Sequence, residues 1–151
     1  MNQIQLIAWR VDSAWSLVLI VLTVVIHVYG LGLINQTVVS HVKKRAKGRR
    51  FTAGFLALVM GPTALLVTCL HAIEGAVWAG AYFILGALPD VKSAVLYSLN
   101  AMTSYGHESI DLPSRWQLMG GVESLNGWIL FGLSTAFLYR MIQRAWPLVS
   151  D

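Results

Sequence analysis

Three long apolar segments, separated by short polar stretches, follow one another along the chain. No charged residue lies between Asp12 and Lys43, and Glu74 is the only charged residue from position 51 to position 89. An apolar run of about 20 residues is long enough to cross the roughly 30 Å hydrocarbon layer of a bilayer. The pattern therefore predicts an all-α membrane protein with three transmembrane helices. The apolar segments cover residues 14–34, 51–88 and 118–141.

The second apolar segment is too long for a simple crossing. As one straight helix it would extend for about 50 Å. Pro62 lies inside it and cannot donate a helical hydrogen bond, so we expect a kink there, or the start of the membrane-crossing part. The expectation is that residues before Pro62 lie near the cytoplasmic interface and that the crossing helix occupies residues 63–86.

The composition excludes an ordinary soluble domain. Hydrophobic residues make up 56% of the chain and charged residues 12%, against roughly 45–50% and about 25% in globular domains. The first apolar run is too long for the core of a cleaved signal peptide, so it is interpreted as a retained helix. The single cysteine, Cys69, cannot form a disulfide within the chain.

The net charge of +4 comes mainly from one basic run between the first two apolar segments. Such a run typically holds a loop on the cytoplasmic side, and it can also attract anionic lipid; nucleic-acid binding is the less favoured alternative. The third segment ends near Arg140 and Arg144, which three crossings would bring to the same side. The N-terminus is then outside and the C-terminus cytoplasmic. The basic run consists of Lys43, Lys44, Arg45, Lys47, Arg49 and Arg50.

A short helix and a polar loop are predicted between the second and third segments. Residues 90–102 form a mostly apolar pattern that begins at Asp90, a favourable N-cap. This helix is too short to span a bilayer, and the small, polar residues 103–109 follow it. A re-entrant segment accounts for both features, because non-helical backbone at membrane depth must be buried in protein or line water. An ordinary external loop is the alternative.

These residues resemble the pore module of the potassium-channel superfamily, which comprises an outer helix, a pore helix, a filter and an inner helix. The family filter reads T-T-V-G-Y-G-D, and here Thr103-Ser104-Tyr105-Gly106-His107-Glu108-Ser109 takes its place without a gap. Residues 126–136 are similar to the inner-helix pattern of a gating glycine, an F-G pair and a T-A pair.

The resemblance implies a homotetramer with one central pore and the architecture of three-span bacterial relatives in the inner membrane. Residues 1–50 would form an added helix with its basic loop, and residues 51–151 the pore module. In that module the pore helix covers residues 90–102, the filter 103–109 and the inner helix 118–141. Gly127 and Gly132 would be hinge or packing points of the inner helix.

The filter departs from the family pattern in its outer half. The family's tyrosine is His107, its second glycine is Glu108 and its aspartate is Ser109. That glycine normally adopts a backbone geometry that disfavours a side chain, so a complete potassium-type filter is not expected. The inner half can persist, with carbonyl groups of Thr103, Ser104 and Tyr105 replacing part of an ion's hydration shell.

Four-fold assembly would turn Glu108 into an acidic ring at the outer mouth that attracts potassium, sodium or calcium. His107 would add a second ring that titrates near neutral pH. Ser104 and Glu108 are therefore the expected contacts of a permeant cation. If Glu108 dominates over the carbonyl groups, the pore favours sodium or calcium. A solvated loop carboxylate is the alternative role for Glu108.

Ionisable residues in the apolar segments are candidates for supporting roles. We expect Glu123 or Glu74 to hydrogen-bond behind the filter, for instance to Asn100, and so to brace the pore helix. A cation site and placement near the membrane interface are the alternatives.

Two other classes of protein stay open. A non-conducting membrane subunit would retain the fold without the pore, and the missing second glycine favours it. A membrane electron carrier that holds haem between His27 and His71 is a remote alternative, because single histidines at helix interfaces account for them better. No pairing of nucleophile and base is visible, so an enzyme is not expected.

Overall fold

The computed structural model of the chain describes residues 3–45, 53–106 and 110–145, and the side chains within 11–42, 54–106 and 110–144. Within these ranges all regular secondary structure is helical, as the apolar pattern predicts. Four α-helices and one short 3₁₀ turn make up the fold. They are α1 (Gln3–Arg45), α2 (Ala53–Ile84), α3 (Val91–Thr103), the 3₁₀ turn (Ser114–Trp116) and α4 (Gln117–Ala145).

Two of these helices are long and apolar enough to cross a membrane. The segments concerned are Val11–Val42 in α1 and Gly54–Ile84 in α2. Over the described residues, α4 has sufficient length but does not meet the same hydropathy criterion. The third crossing therefore stays a prediction.

α2 continues through Pro62 without interruption, and the start of its membrane-crossing part at residue 63 stays a prediction. Proline removes one backbone donor in this turn. The hydroxyl of Thr63 donates to the carbonyl oxygen of Val59 at 2.7 Å and adds a hydrogen bond in the turn that Pro62 weakens.

α3 begins and ends close to the expected residues 90–102. Asp90 is its N-cap, as predicted, and the Asp90 carboxylate accepts hydrogen bonds from the backbone N–H and the hydroxyl of Ser93. The backbone hydrogen bond and then the hydroxyl lower the pKa of Asp90 below its ordinary value. The cap fixes where the short helix begins.

The direction of each long helix follows from its contacts with α1. His27 of α1 contacts Glu74 of α2, whereas Gly30, further along α1, packs against Leu70, earlier in α2. α2 therefore runs antiparallel to α1. Asn126 of α4 bonds to Thr23 and Arg144 bonds to Asn35.

From the contact at Thr23 to the contact at Asn35, the chain advances along α1 and also along α4, from Asn126 to Arg144. α4 therefore runs parallel to α1. α3 is a short helix packed against both α2 and α4. The main apolar core lies where these helices meet, and its fully buried members include Trp78, Tyr82, Met119 and Leu130.

Several polar side chains in the first half of α1 are buried, and a band of apolar side chains on the opposite face is exposed. Asp12, Ser16, Thr23 and His27 are buried, and a band of valines on the opposite face is more than half exposed. This arrangement is typical of helices in lipid, where polar groups turn to protein partners and the outer surface is apolar. The exposed valines are Val18, Val21, Val25 and Val28.

Candidate functional site

The segment that follows α3 is described as far as Gly106. Ser104 ends the helix in a left-handed conformation (φ 55°), and Gly106 also has a positive φ of 104°. The backbone N–H groups of Ser104 and Tyr105 donate to the carbonyl oxygens of Ala101 and Asn100, both at 3.0 Å. Glycine is the residue that most readily adopts positive φ, so Gly106 suits the sharp turn of the chain.

Thr103 is the last residue of α3. Its hydroxyl donates to the carbonyl oxygen of Leu99 at 2.7 Å. The side chains of Thr103, Ser104 and Tyr105 are exposed on the surface of the single chain. His107, Glu108 and Ser109, the outer part of the predicted filter, lie outside the described residues.

A hydrogen bond ties the start of this segment to α4. The indole Nε1–H of Trp128 donates to the hydroxyl of Ser104 at 2.8 Å. A hollow of about 250 Å³ lies beside this contact and is lined by Met102, Thr103, Trp128 and Phe131. The predicted filter residues therefore border an open space next to α4.

The C-terminal end of α3 contacts α4 well after the first residue of α4. A Cβ atom built on Gly127 would overlap the carbonyl oxygen of Met102. Gly127 is ten residues after Gln117, where α4 begins, which corresponds to about 15 Å along the axis. α3 thus runs inward between its neighbours and ends about a third of the way along α4. Gly132 has nothing within 4 Å of an added Cβ, so it makes no such contact within the described chain.

Glu123 joins α4 to the middle of α3. Its fully buried carboxylate accepts hydrogen bonds from the hydroxyl of Ser98 at 2.6 Å and from that of Tyr82 at 2.7 Å. The Ser98 hydroxyl also lies 2.8 Å from the carbonyl oxygen of Gly75. The partner of Glu123 on α3 is Ser98, not the suggested Asn100, because Ser98 is on the buried face of α3 and Asn100 is only half-buried.

Glu74 is joined to histidines and not to α3. Its carboxylate lies 2.7 Å from Nδ1 of His27 and 3.2 Å from Nδ1 of His71. The Nε2 atoms of both histidines converge on the hydroxyl of Ser134, at 3.2 Å from His27 and 3.0 Å from His71. We call His27, His71, Glu74 and Ser134 the buried histidine cluster. It connects α1, α2 and α4.

The buried histidine cluster does not suit haem ligation by His27 and His71. Two axial histidines would have to approach the iron from opposite faces of the macrocycle. Here the two rings tilt towards each other with centroids 5.1 Å apart, and the Nδ1 atoms of both face the one carboxylate of Glu74. The geometry thus favours a compact polar cluster over a haem pocket.

Sequence reasoning missed the buried histidine cluster and the contact between Asn126 and Thr23. Asn126 donates from Nδ2 to the Thr23 hydroxyl at 2.8 Å, and both residues are fully buried. The available signal was the helical spacing of His71 and Glu74, together with a histidine in the preceding apolar segment. It gave candidates but not partners, because the pairing depends on how α1 and α4 pack.

Comparisons with known proteins give no independent assignment. No protein-family model matches the chain, and no curated protein or solved structure shows significant similarity to it.

Proposed function

We propose that this chain is one subunit of a homotetrameric cation channel in a membrane, with a filter formed by residues 103–109. The observation that carries the proposal is the position of Thr103–Gly106. This segment is polar and exposed on the single chain, and it follows a helix whose end contacts Gly127 about 15 Å along α4.

The paths of the long helices determine how deep residues 103–106 would lie in a bilayer. α1 has a candidate span, and α4 runs parallel beside it from Thr23 to Asn35. A membrane crossed by α1 is then crossed by α4 as well, and residues 103–106 lie within the hydrocarbon layer. Exposed non-helical backbone at that depth requires protein or water around it. Four copies around a water-filled axis meet that requirement.

The same arrangement supports the proposed topology. Arg144 donates from Nη1 to Oδ1 of Asn35 at 3.1 Å, so the late parts of α1 and α4 lie together. The basic run begins at Lys43, in the last turn of α1 at this end. Its placement on the cytoplasmic side gives an external N-terminus, a cytoplasmic C-terminus and a surface suited to anionic lipid. For a channel of this kind, the bacterial inner membrane is the proposed location.

Selectivity in this proposal is weaker than in potassium channels with two filter glycines. Carbonyl groups of Thr103 and its successors would contact the ion from the inner side, and Glu108 would supply negative charge at the outer mouth. Potassium, sodium and calcium are the candidate permeant ions. The hollow beside Thr103 and Trp128 supports the inner part of this path, since its lining residues would face the shared axis.

A non-conducting subunit is the second candidate, and one specific observation favours it. The Ser104 hydroxyl is already bonded to Trp128, and Ser104 adopts the left-handed conformation of a helix cap. A side chain held in this way does not contact a passing ion. In that case the exposed segment would dock against a different membrane protein.

Ion flux into liposomes separates the two candidates. The purified protein is reconstituted, its assembly is determined by native mass spectrometry, and fluxes of potassium, sodium and calcium are measured. We expect a tetramer that conducts at least one of them. Gly106→Ala should abolish flux because its φ is positive, whereas Gly121→Ala should not, since an added Cβ there meets no neighbour within 4 Å. A folded tetramer without flux would support the non-conducting subunit.

A further inference from the structure

The buried histidine cluster has the chemistry of a metal site. One nitrogen of His27, one nitrogen of His71 and one carboxylate oxygen of Glu74 lie within 4.8 Å of one another. His27 and Glu74 are fully buried, and His71 is 8% exposed. Burying an ionisable side chain between apolar helices costs free energy. Three such side chains at one point therefore indicate a functional site.

We propose that His27, His71 and Glu74 bind one first-row divalent transition-metal ion, of which Zn²⁺ is the type. Two imidazoles and a carboxylate are a common zinc donor set with one coordination position left open. A tetrahedral ion at about 2.0–2.1 Å from each donor holds the donor atoms roughly 3.3 Å apart. Nδ1 of His27 lies 2.7 Å from Oε1 of Glu74 and Nδ1 of His71 lies 3.2 Å from Oε2, and the three donor atoms lie within 4.8 Å of one another, so binding one ion requires side-chain movement.

One close contact in the cluster lacks the geometry of a hydrogen bond. Nδ1 of His71 and Oε2 of Glu74 lie 3.2 Å apart, yet neither makes a hydrogen bond of acceptable geometry with any described residue. Buried polar atoms are satisfied in the great majority of structures. An ion between these atoms would satisfy both, because each would direct a lone pair at the metal.

The Ser134 hydroxyl contacts the Nε2 atoms of both histidine rings. A histidine that coordinates through Nδ1 carries its hydrogen on Nε2 and usually donates it to a protein acceptor. Both Nε2 atoms converge on the Ser134 hydroxyl, whose oxygen can accept two hydrogen bonds. Without a metal, the hydroxyl can accept from one ring and donate its hydrogen to the other. The second-sphere geometry is therefore compatible with a bound ion.

His71 lies next to a residue that lines the hollow beside Thr103. Its ring packs against Phe131 with centroids 4.4 Å apart, and Phe131 also lines the hollow beside Thr103. An ion that reaches this hollow meets Phe131 before His71. When bound, the ion would link α1, α2 and α4. Of these, α4 contacts the segment after α3 through Trp128. Metal binding itself does not depend on whether the protein conducts.

Metal content of the purified protein tests the proposal without a flux assay. Chelator-treated wild-type protein is incubated with Zn²⁺ or Co²⁺, desalted and analysed by mass spectrometry of the metal. We expect one ion per chain in the wild type and its loss in His71→Gln and Glu74→Gln. The matched control is His41→Gln, because His41 is exposed and bonds only to the Thr37 carbonyl of its own helix. Circular dichroism and gel filtration verify the fold of each variant.

Ser134→Ala keeps all three donors and the fold, and serves if the ligand variants misfold. It should weaken binding by about 10–100-fold, since both Nε2–H groups lose their acceptor. Bound Co²⁺ in the wild type should show the intense visible absorption of a four- or five-coordinate ion. A wild type that retains no more metal than His71→Gln, equal metal content in Glu74→Gln, or a Co²⁺ spectrum of the hydrated ion would each overturn the proposal and leave a purely hydrogen-bonded cluster.

Discussion

The carboxylate of Glu123 in α4 lies 2.6 Å from the hydroxyl of Ser98 in α3, and both residues are completely buried. This contact lies in the middle of the short helix, far from its capped start at Asp90. Because the Ser98 hydroxyl also contacts the Gly75 carbonyl of α2, the pair joins three helices at one point. The position of α3 thus depends on a polar contact that apolar packing alone does not provide.

Ser98→Ala is expected to destabilise the fold. The substitution leaves a buried carboxylate oxygen of Glu123 without its partner, which costs about 1–2 kcal/mol of unfolding free energy. Chemical unfolding in detergent, followed by circular dichroism, measures the loss. Ser124→Ala is the control, because the Ser124 hydroxyl contacts only the Gly120 carbonyl of its own helix. Equal effects of the two substitutions would show that the contact with Glu123 contributes little.

Gly127→Ala is expected to separate α3 from α4. The added methyl group overlaps the Met102 carbonyl oxygen, which belongs to the backbone and cannot rotate away. Overpacking of this kind costs about 1–3 kcal/mol, and it should also displace the segment that begins at Thr103. Thermal unfolding of the purified protein is the first measurement.

Gly132→Ala is the matched control on the same helix. An added methyl group there has no neighbour within 4 Å, and alanine favours a helix by up to about 1 kcal/mol over glycine. This variant should be as stable as the wild type or more so. If the two alanine variants unfold alike, the close approach at Met102 is not a constraint. Should Gly132→Ala alone impair flux, Gly132 acts as a hinge or contacts a neighbouring subunit.

Local signals predicted much of the helical framework. Asp90 fixed the start of α3, since an N-cap acts through residues that are adjacent in sequence. Pro62 does not end α2, and the hydrogen bond from Thr63 to Val59 in the same turn is not visible in a hydrophobic pattern. The partners of Glu74 were equally hidden. They depend on the rotation of α1 about its axis, which an apolar segment with few polar positions does not specify.

The exposed segment after α3 shows a second limit of sequence reasoning. The resemblance to a potassium-channel filter singled out Thr103 and Gly106, and the positive φ of Gly106 suits the glycine of that pattern. The bond from Trp128 to Ser104 was not expected. Trp128 follows a glycine in an apolar helix, and a lipid-facing indole would have the same sequence signature.

Trp128→Phe is expected to loosen the start of the filter segment. The ring is retained, but the donor to the Ser104 hydroxyl is lost, which weakens local structure by about 0.5–1.5 kcal/mol. Hydrogen exchange at the backbone N–H of Tyr105, which bonds to the Asn100 carbonyl, should accelerate by roughly 2–10-fold as a result. Trp15→Phe is the control, since Trp15 is an exposed residue of α1. Unchanged protection in Trp128→Phe would indicate that the helix cap holds this segment by itself.

Glu108→Gln tests the acidic ring that the proposed channel carries at its outer mouth. Four carboxylates around one axis concentrate divalent cations, and their loss should raise the calcium concentration for half-maximal effect on flux by about tenfold or more. Tetramer stability should change little, because the substitution retains the shape of the side chain. Liposome flux of a monovalent cation, titrated with calcium, gives the measurement.

Asp111→Asn is the matched control for Glu108→Gln. Asp111 is an exposed residue three positions after Glu108 in the sequence. Its substitution therefore reports the effect of removing a nearby charge that is not assigned to the pore. A calcium response that is the same in wild type and Glu108→Gln would rule out the ring. Equal shifts in both variants would assign the effect to general surface charge, since screened charges outside the axis act on every approaching cation alike.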